Sequence, residues 1–122
     1  MVNKKIEIDR IVEKEGLASA MKSGSLDVLA TPQMIAWMEE AACLCLDLEE
    51  GTTSVGTLMN VEHVKASPLG AKIRIIAKIT KEEGRKICYE VEAFQNDTLI
   101  GKGVHERFIV FADKFLKKTY GE

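Results

Sequence analysis

Apolar and polar positions fall into a few regular patterns along the chain. From 6 to 12, Ile6, Ile8, Arg10 and Val12 alternate with Glu7, Asp9 and Ile11, an imperfect period of two that predicts a strand. Residues 16–29 hold two glycines, three serines and scattered apolar residues without a clean period. That predicts an irregular or partly helical connection able to act as a mobile cover. Thr31-Pro32 then reads as a helix start, because a threonine hydroxyl can accept an orphan N–H and proline fits the first helical position. No glycine or further proline appears until Gly51, which is expected to stop the helix after Glu50. Met34, Ile35, Trp37, Met38, Ala41, Ala42, Leu44, Cys45, Leu46 and Leu48 surround most of its circumference, the pattern of a buried helix.

Four strand patterns follow. Residues 53–61 set Val55, Thr57, Met59 and Val61 against Gly56, Leu58 and Asn60, and residues 72–81 carry Ile73, Ile75, Ala77 and Ile79. Residues 86–95 alternate Ile87, Tyr89, Val91 and Ala93 with Lys86, Cys88, Glu90 and Glu92, as in an antiparallel sheet with one wet face. Residues 98–111 end in Phe108-Ile109-Val110-Phe111, and Glu83-Gly84 and Asn96-Asp97 supply turns, so the last three strands should form a meander. A short helix is expected over Ala112 to Lys118. One strand, one apolar helix and four antiparallel strands pack most economically as a sheet wrapped around the helix, an α+β hotdog arrangement. Edge-to-edge pairing of two such sheets in a homodimer would cover a strand edge.

Composition narrows the class further. At 122 residues the chain is expected to form one domain, residues 1–122, with a core that gains from pairing with a second copy. A formal net charge of −2 with both signs interspersed provides no field for nucleic acid or an anionic membrane. The longest apolar run, Ala41 to Leu46, is far below the ~20 residues that span a bilayer. The charged amino terminus does not read as an export signal. Cys43, Cys45 and Cys88 are odd in number, and Cys43 and Cys45 point to different helix faces, so neither a disulfide framework nor a metal site is expected. Reduced thiols imply a cytoplasmic location.

Chemistry-bearing candidates are few. Glu39 and Glu40 interrupt the apolar helix and diverge by about 100°, so at least one can face inward, where a carboxylate persists only if paired or used. The alternative is that both sit at the helix margin. His63 follows the first strand after the helix and His105 lies in the last strand; each, taken alone, reads as a hydrogen-bonded structural histidine. Thr31, alone, reads as a cap. No metal cluster, phosphate-cradling glycine loop or nucleophile elbow is present in the sequence.

Taken together, the motifs carry more. Val28-Leu29-Ala30-Thr31, Trp37-Met38-Glu39-Glu40-Ala41, Val55-Gly56-Thr57 through Val61-Glu62-His63-Val64, Ala66-Ser67-Pro68-Leu69-Gly70 and Gly103-Val104-His105-Glu106-Arg107-Phe108 resemble the fluoroacetyl-CoA thioesterase-like branch of the hotdog superfamily. The resemblance covers roughly residues 28–110. It implies an acyl-CoA thioesterase whose catalytic set falls on Thr31, Glu39 and His63. Gly56 would meet the thioester with its backbone, and Arg107 would pair with a carboxylate or a CoA phosphate. It implies no cofactor beyond the coenzyme A of the substrate. Glu39 would act as nucleophile through a transient anhydride or as base for water, His63 would manage protons, and Thr31 would position the carboxylate or carbonyl. The family's fluoroacetate enzyme carries phenylalanines upstream of the threonine; Lys22 and Ser25 stand at those positions, so a general short-chain acyl-CoA is the expected substrate.

Two expectations remain in tension. Thr31 and Glu39 are eight positions apart, about 12 Å of regular helix, so either the helix is broken near Thr31 or the groups meet across a dimer. A non-catalytic acyl-CoA or small-ligand binding protein on the same fold is the alternative function, and a hotdog hydratase is disfavoured by the lack of an Asp/His hydratase signature.

Overall fold

The computed structural model describes residues 4–121. Five strands form one antiparallel sheet in the order β1-β3-β4-β5-β2: β1 Lys5–Ile11, β2 Thr52–His63, β3 Lys72–Glu83, β4 Lys86–Gln95 and β5 Thr98–Phe111. The helices are α1 Ala18–Met21, preceded by a 3-10 turn at Lys14–Gly16, then α2 Thr31–Leu44 and α3 Ala112–Thr119. The hotdog architecture expected from the alternation is therefore present, with β3, β4 and β5 joined as a meander. Gly84 (φ 60°) and Asn96 (φ 54°) adopt the left-handed conformation that their tight turns require.

The core is the contact between α2 and one sheet face. Met34, Met38, Ala41, Ala42 and Cys45 recur at helical spacing and are buried against Ile73, Ile75, Ala77 and Ile79 of β3 and Ile87, Tyr89, Val91 and Ala93 of β4. The other sheet face carries Lys78, Glu90, Glu92 and Lys102, the polar half of the period-two pattern, around a surface hollow of about 580 Å³. None of the predicted catalytic residues lines it.

Three expectations change. The helix ends at Leu44 rather than Glu50, in a tightened turn where Cys45 N–H and Leu46 N–H donate to the Ala42 and Cys43 carbonyls. The Tyr89 hydroxyl also donates to Ala42 O, at 3.1 Å. Gly51 (φ 85°) serves the turn into β2 instead, where both the N–H and the hydroxyl of Thr52 donate to Glu49 O. Secondly, α2 is not covered all round: Ala36, Cys43 and Leu44 are exposed and Ile35 and Trp37 half-buried, because the sheet curls around one side only. Thirdly, β2 does not alternate regularly. Gly56 pairs with Arg107 but Leu58 pairs with Glu106, so Thr57 is an extra residue in a β-bulge. Gly56 thereby joins Met59, Val61 and His63 on the helix-facing side, although Gly56 and His63 are an odd number of residues apart.

Candidate active site

Thr31 is the first residue of α2, one place later than a capping threonine would stand. Ala30 occupies the N-cap without a side-chain hydrogen bond, and the Gln33 and Met34 N–H groups donate to the Ala30 carbonyl. The Thr31 hydroxyl is thus not spent on the helix end and lies 2.7 Å from His63 Nδ1. His63, the last residue of β2, pairs with Gly101 of β5. Its Nε2 is buried without a hydrogen-bond partner among the described residues. Burial lowers the imidazole pKa, opposed by a smaller effect of the Lys65 backbone. Thr31 and His63 line a cavity of about 200 Å³ with Ala18, Val28, Leu29 and Lys65, so the loop over 18–29 forms one of its walls.

The two adjacent glutamates part company. Glu40 is exposed and makes a two-pronged ion pair with Arg10 of β1, through Nε at 3.1 Å and through Nη2. Glu39, half-buried, turns toward β2 and β5. Its Oε2 lies 3.5 Å from Arg107 Nη1 and would be 2.8 Å from a Cβ placed on Gly56. The missing side chain at Gly56 thus leaves the space in which the Glu39 carboxylate sits. Glu39, Gly56, Met59 and His105 line a second cavity, of about 230 Å³.

Arg107 is 6% exposed, with its guanidinium committed inside the fold. Nε donates to Ser54 Oγ at 2.8 Å, Nη2 to Ser54 O at 3.0 Å, and Nη1 reaches both Glu39 and, at 3.3 Å, His105 Nε2. Of the two anions the sequence offered it, a carboxylate and a CoA phosphate, the first is the one it meets in the chain. His105 and Ser54 were not singled out from the sequence as site residues. The available signal was the His105-x-Arg107 spacing, which puts two polar side chains on one strand face.

A single chain thus assembles two half-sites. Thr31 and His63 are in contact; Glu39, Gly56 and Arg107 are in contact; the groups are separated along α2 by eight helical positions and along β2 by the stretch from Gly56 to His63. Among the described residues no cluster of three or more His, Cys, Asp or Glu side chains could hold a metal ion, and the three cysteines are free. Burial pushes the Cys45 thiol up to about 11, the behaviour of a core residue rather than a nucleophile.

An antiparallel sheet wrapped around one apolar helix, with a carboxylate of that helix beside a strand glycine, is a hotdog fold with a candidate site between helix and sheet. The family profile of fluoroacetyl-CoA-specific thioesterases (FlK) matches residues 12–113, and the chain belongs to that family. A fluoroacetyl-CoA thioesterase of Streptantibioticus cattleyicolor is 35% identical over 95 residues, 76% of this chain and 68% of that protein. The solved structure of the fluoroacetyl-CoA thioesterase FlK superposes with a TM-score of 0.93 at 28% identity, covering 100% of this chain and 96% of the other. A thioesterase superfamily member from Thermus thermophilus is similar at a TM-score of 0.86 and 26% identity, over 99% and 96% of the two chains. A hot-dog-like protein from Thermanaerovibrio acidaminovorans shares the fold, with a TM-score of 0.88 at 20% identity over 98% and 90%.

Proposed function

We propose that this chain hydrolyses a small or short-chain acyl-CoA to the free acid and CoA, using Thr31, Glu39 and His63 with Gly56 and Arg107 at the thioester. The observation that carries the reading is the setting of Glu39, a half-buried carboxylate 3.5 Å from the Arg107 guanidinium and seated in the space that a side chain at Gly56 would take. In one route Glu39 attacks the thioester carbon. The new C–O bond makes an anhydride, the C–S bond breaks, the departing thiolate takes a proton through His63, and water then releases the acid. In the other, Glu39 removes a proton from the attacking water. In both, the backbone at Gly56 meets the carbonyl oxygen as charge develops on it.

The homodimer belongs to the same reading. β2 is an edge strand whose outer side has no strand neighbour among the described residues, and α2 leaves Ala36, Cys43 and Leu44 uncovered. Antiparallel pairing of two β2 strands about an axis near Asn60 would set His63 across from the partner's bulge at 56 and 57. Thr31 and His63 of one copy would then face Glu39, Gly56 and Arg107 of the other, and each dimer would hold two composite sites.

Lys22 and Ser25, both exposed, stand where the resemblance expects the phenylalanines of the fluoroacetate enzyme, and that departure supports an unfluorinated short acyl chain rather than fluoroacetyl. A variant of FlK has been solved in complex with acetyl-CoA. Three free thiols are in keeping with a cytoplasmic setting, and no helix among the described residues is long and apolar enough to cross a membrane. The test is CoA release from acetyl-, propionyl-, butyryl- and aromatic thioesters by the wild type and by Glu39→Ala. The substitution should lower turnover at least ~10²-fold with the circular dichroism spectrum unchanged. CoA release undiminished in Glu39→Ala removes the assignment.

A further inference from the structure

His105 is 1% exposed and belongs to neither half of the predicted catalytic set. Its ring is committed on every side. Nδ1 lies 2.8 Å from Leu58 O, a carbonyl, so Nδ1 carries the proton and donates. Nε2 is then the lone-pair nitrogen, and it accepts from Arg107 Nη1 at 3.3 Å, the same nitrogen that faces Glu39 Oε2 at 3.5 Å. The ring face stacks on Tyr89, with centroids 5.5 Å apart and planes at 25°, and the Tyr89 hydroxyl is anchored on the Ala42 carbonyl of α2. Leu58 follows the bulge that turns Gly56 inward, and a Cβ on Gly56 would come to 3.4 Å from His105 Cε1.

We propose that His105 is a positioning residue for hydrolysis: Nε2 holds Arg107 toward Glu39 while Nδ1–H holds the β2 bulge, so that Glu39 and Gly56 present themselves to one thioester. The inference rests on the proposed role of Glu39. It requires a neutral ring of the Nδ1–H tautomer, because an imidazolium could not accept from a guanidinium. The groups facing the ring are Tyr89 from β4, Arg107 and Glu106 from β5, and Glu39 from α2. Burial is the largest influence and favours the neutral ring; the Leu58 carbonyl, Glu39 and Glu106 oppose it, and Arg107 reinforces it.

Three variants separate positioning from packing. His105→Gln keeps an acceptor at the Arg107 side but loses the donor toward Leu58, and should lower kcat clearly less than His105→Asn does. His105→Asn keeps only the donor toward Leu58 and should lose kcat by on the order of 10- to 100-fold with KM changed less than twofold, the signature of a misplaced reacting group rather than lost substrate binding. His105→Asn combined with Arg107→Lys should cost no more than the worse single change, since both act through one contact. Equal kcat in the Gln and Asn variants, or additive losses in the double variant, would overturn the proposal. Nitrogen NMR of the wild type supplies a reading that does not depend on variants folding: the proton must reside on Nδ1, and an Nε2–H tautomer refutes the geometry. If Glu39→Ala also retains turnover, the reading of the reaction itself has failed; if it is inactive while the His105 variants match wild type, only the positioning role has.

Discussion

Gly56 makes the sharpest prediction from a single position. A methyl group there would stand 2.8 Å from Glu39 Oε2 and 3.4 Å from both Arg107 Nη1 and His105 Cε1. The closest of these is the free end of a flexible, partly exposed side chain, so the fold can yield and the carboxylate must move. Gly56→Ala should therefore lower kcat/KM on the order of 10²-fold while shifting the melting temperature by no more than a few degrees. A variant that melts far earlier yet keeps its specific activity would contradict this. The histidines make a second prediction. Burial holds both imidazoles below the ordinary 6.5, so as pH falls through that value the unfolded chain binds these protons first. Stability is then complete above the ordinary value and declines below it as pH falls toward the folded-state values. Denaturation midpoints taken between about pH 7.5 and 5.5 should fall with acidification, and His63→Gln should remove part of the slope; a flat profile refutes it. The sequence could rank these residues only in part. Helix geometry alone narrowed the inward carboxylate to Glu39 or Glu40 and the family resemblance pointed to Glu39; in the structure Arg10, thirty positions away, claims Glu40. Thr31 taken alone looked like a cap while the resemblance placed it in the site, and Ala30 at the helix start leaves its hydroxyl free for His63.

Strands β3, β4 and β5 were readable because an alternating half-solvated strand has one way to face a core, and the observed ends agree within a few residues. The bulge in β2 was not readable, since one extra residue leaves composition untouched while inverting every facing before it. Nor was the end of α2, where Leu46 and Leu48 continue the apolar pattern but lie half-buried in a connection that is neither helix nor strand. What positions the half-sites is the close approach of α2 and β2 to β5, and two glycines of β5 permit it. A Cβ on Gly101 would meet Met34 Sδ at 2.5 Å, the mobile end of a side chain; one on Gly103 would meet Val61 Cα at 2.5 Å and the Asn60 carbonyl oxygen, which are backbone. Gly101→Ala should cost about 1–3 kcal/mol as Met34 shifts, and Gly103→Ala distinctly more, because the β2–β5 ladder itself must part. Thermal or urea unfolding of the two variants checks the order, and equal or reversed losses would show that the strands are not held as close as the geometry requires.

The arrangement of the assembled protein decides whether the two half-sites ever meet. If catalysis needs the Thr31–His63 pair of one copy and Glu39 of another, then His63→Ala and Glu39→Ala, each inactive as a homodimer, must rescue each other. In a mixed dimer one composite site carries both changes and the other carries neither. Random association of equal amounts makes half the dimers mixed, so co-expression should restore about a quarter of wild-type activity, and purified mixed dimers about half. A site complete within one chain predicts no rescue at any mixing ratio. The same samples, sized by light scattering, must show twice the chain mass, and a proline at Asn60 in the middle of the β2 edge should weaken that dimer together with the activity. Rescue together with loss of dimer on disrupting the edge would join the uncovered face of α2, the outer edge of β2 and the separation of Thr31 from Glu39 in one cause; a fully active monomer would require Glu39 to act with the Thr31–His63 pair of its own chain, across the roughly 12 Å of helix rise between Thr31 and Glu39.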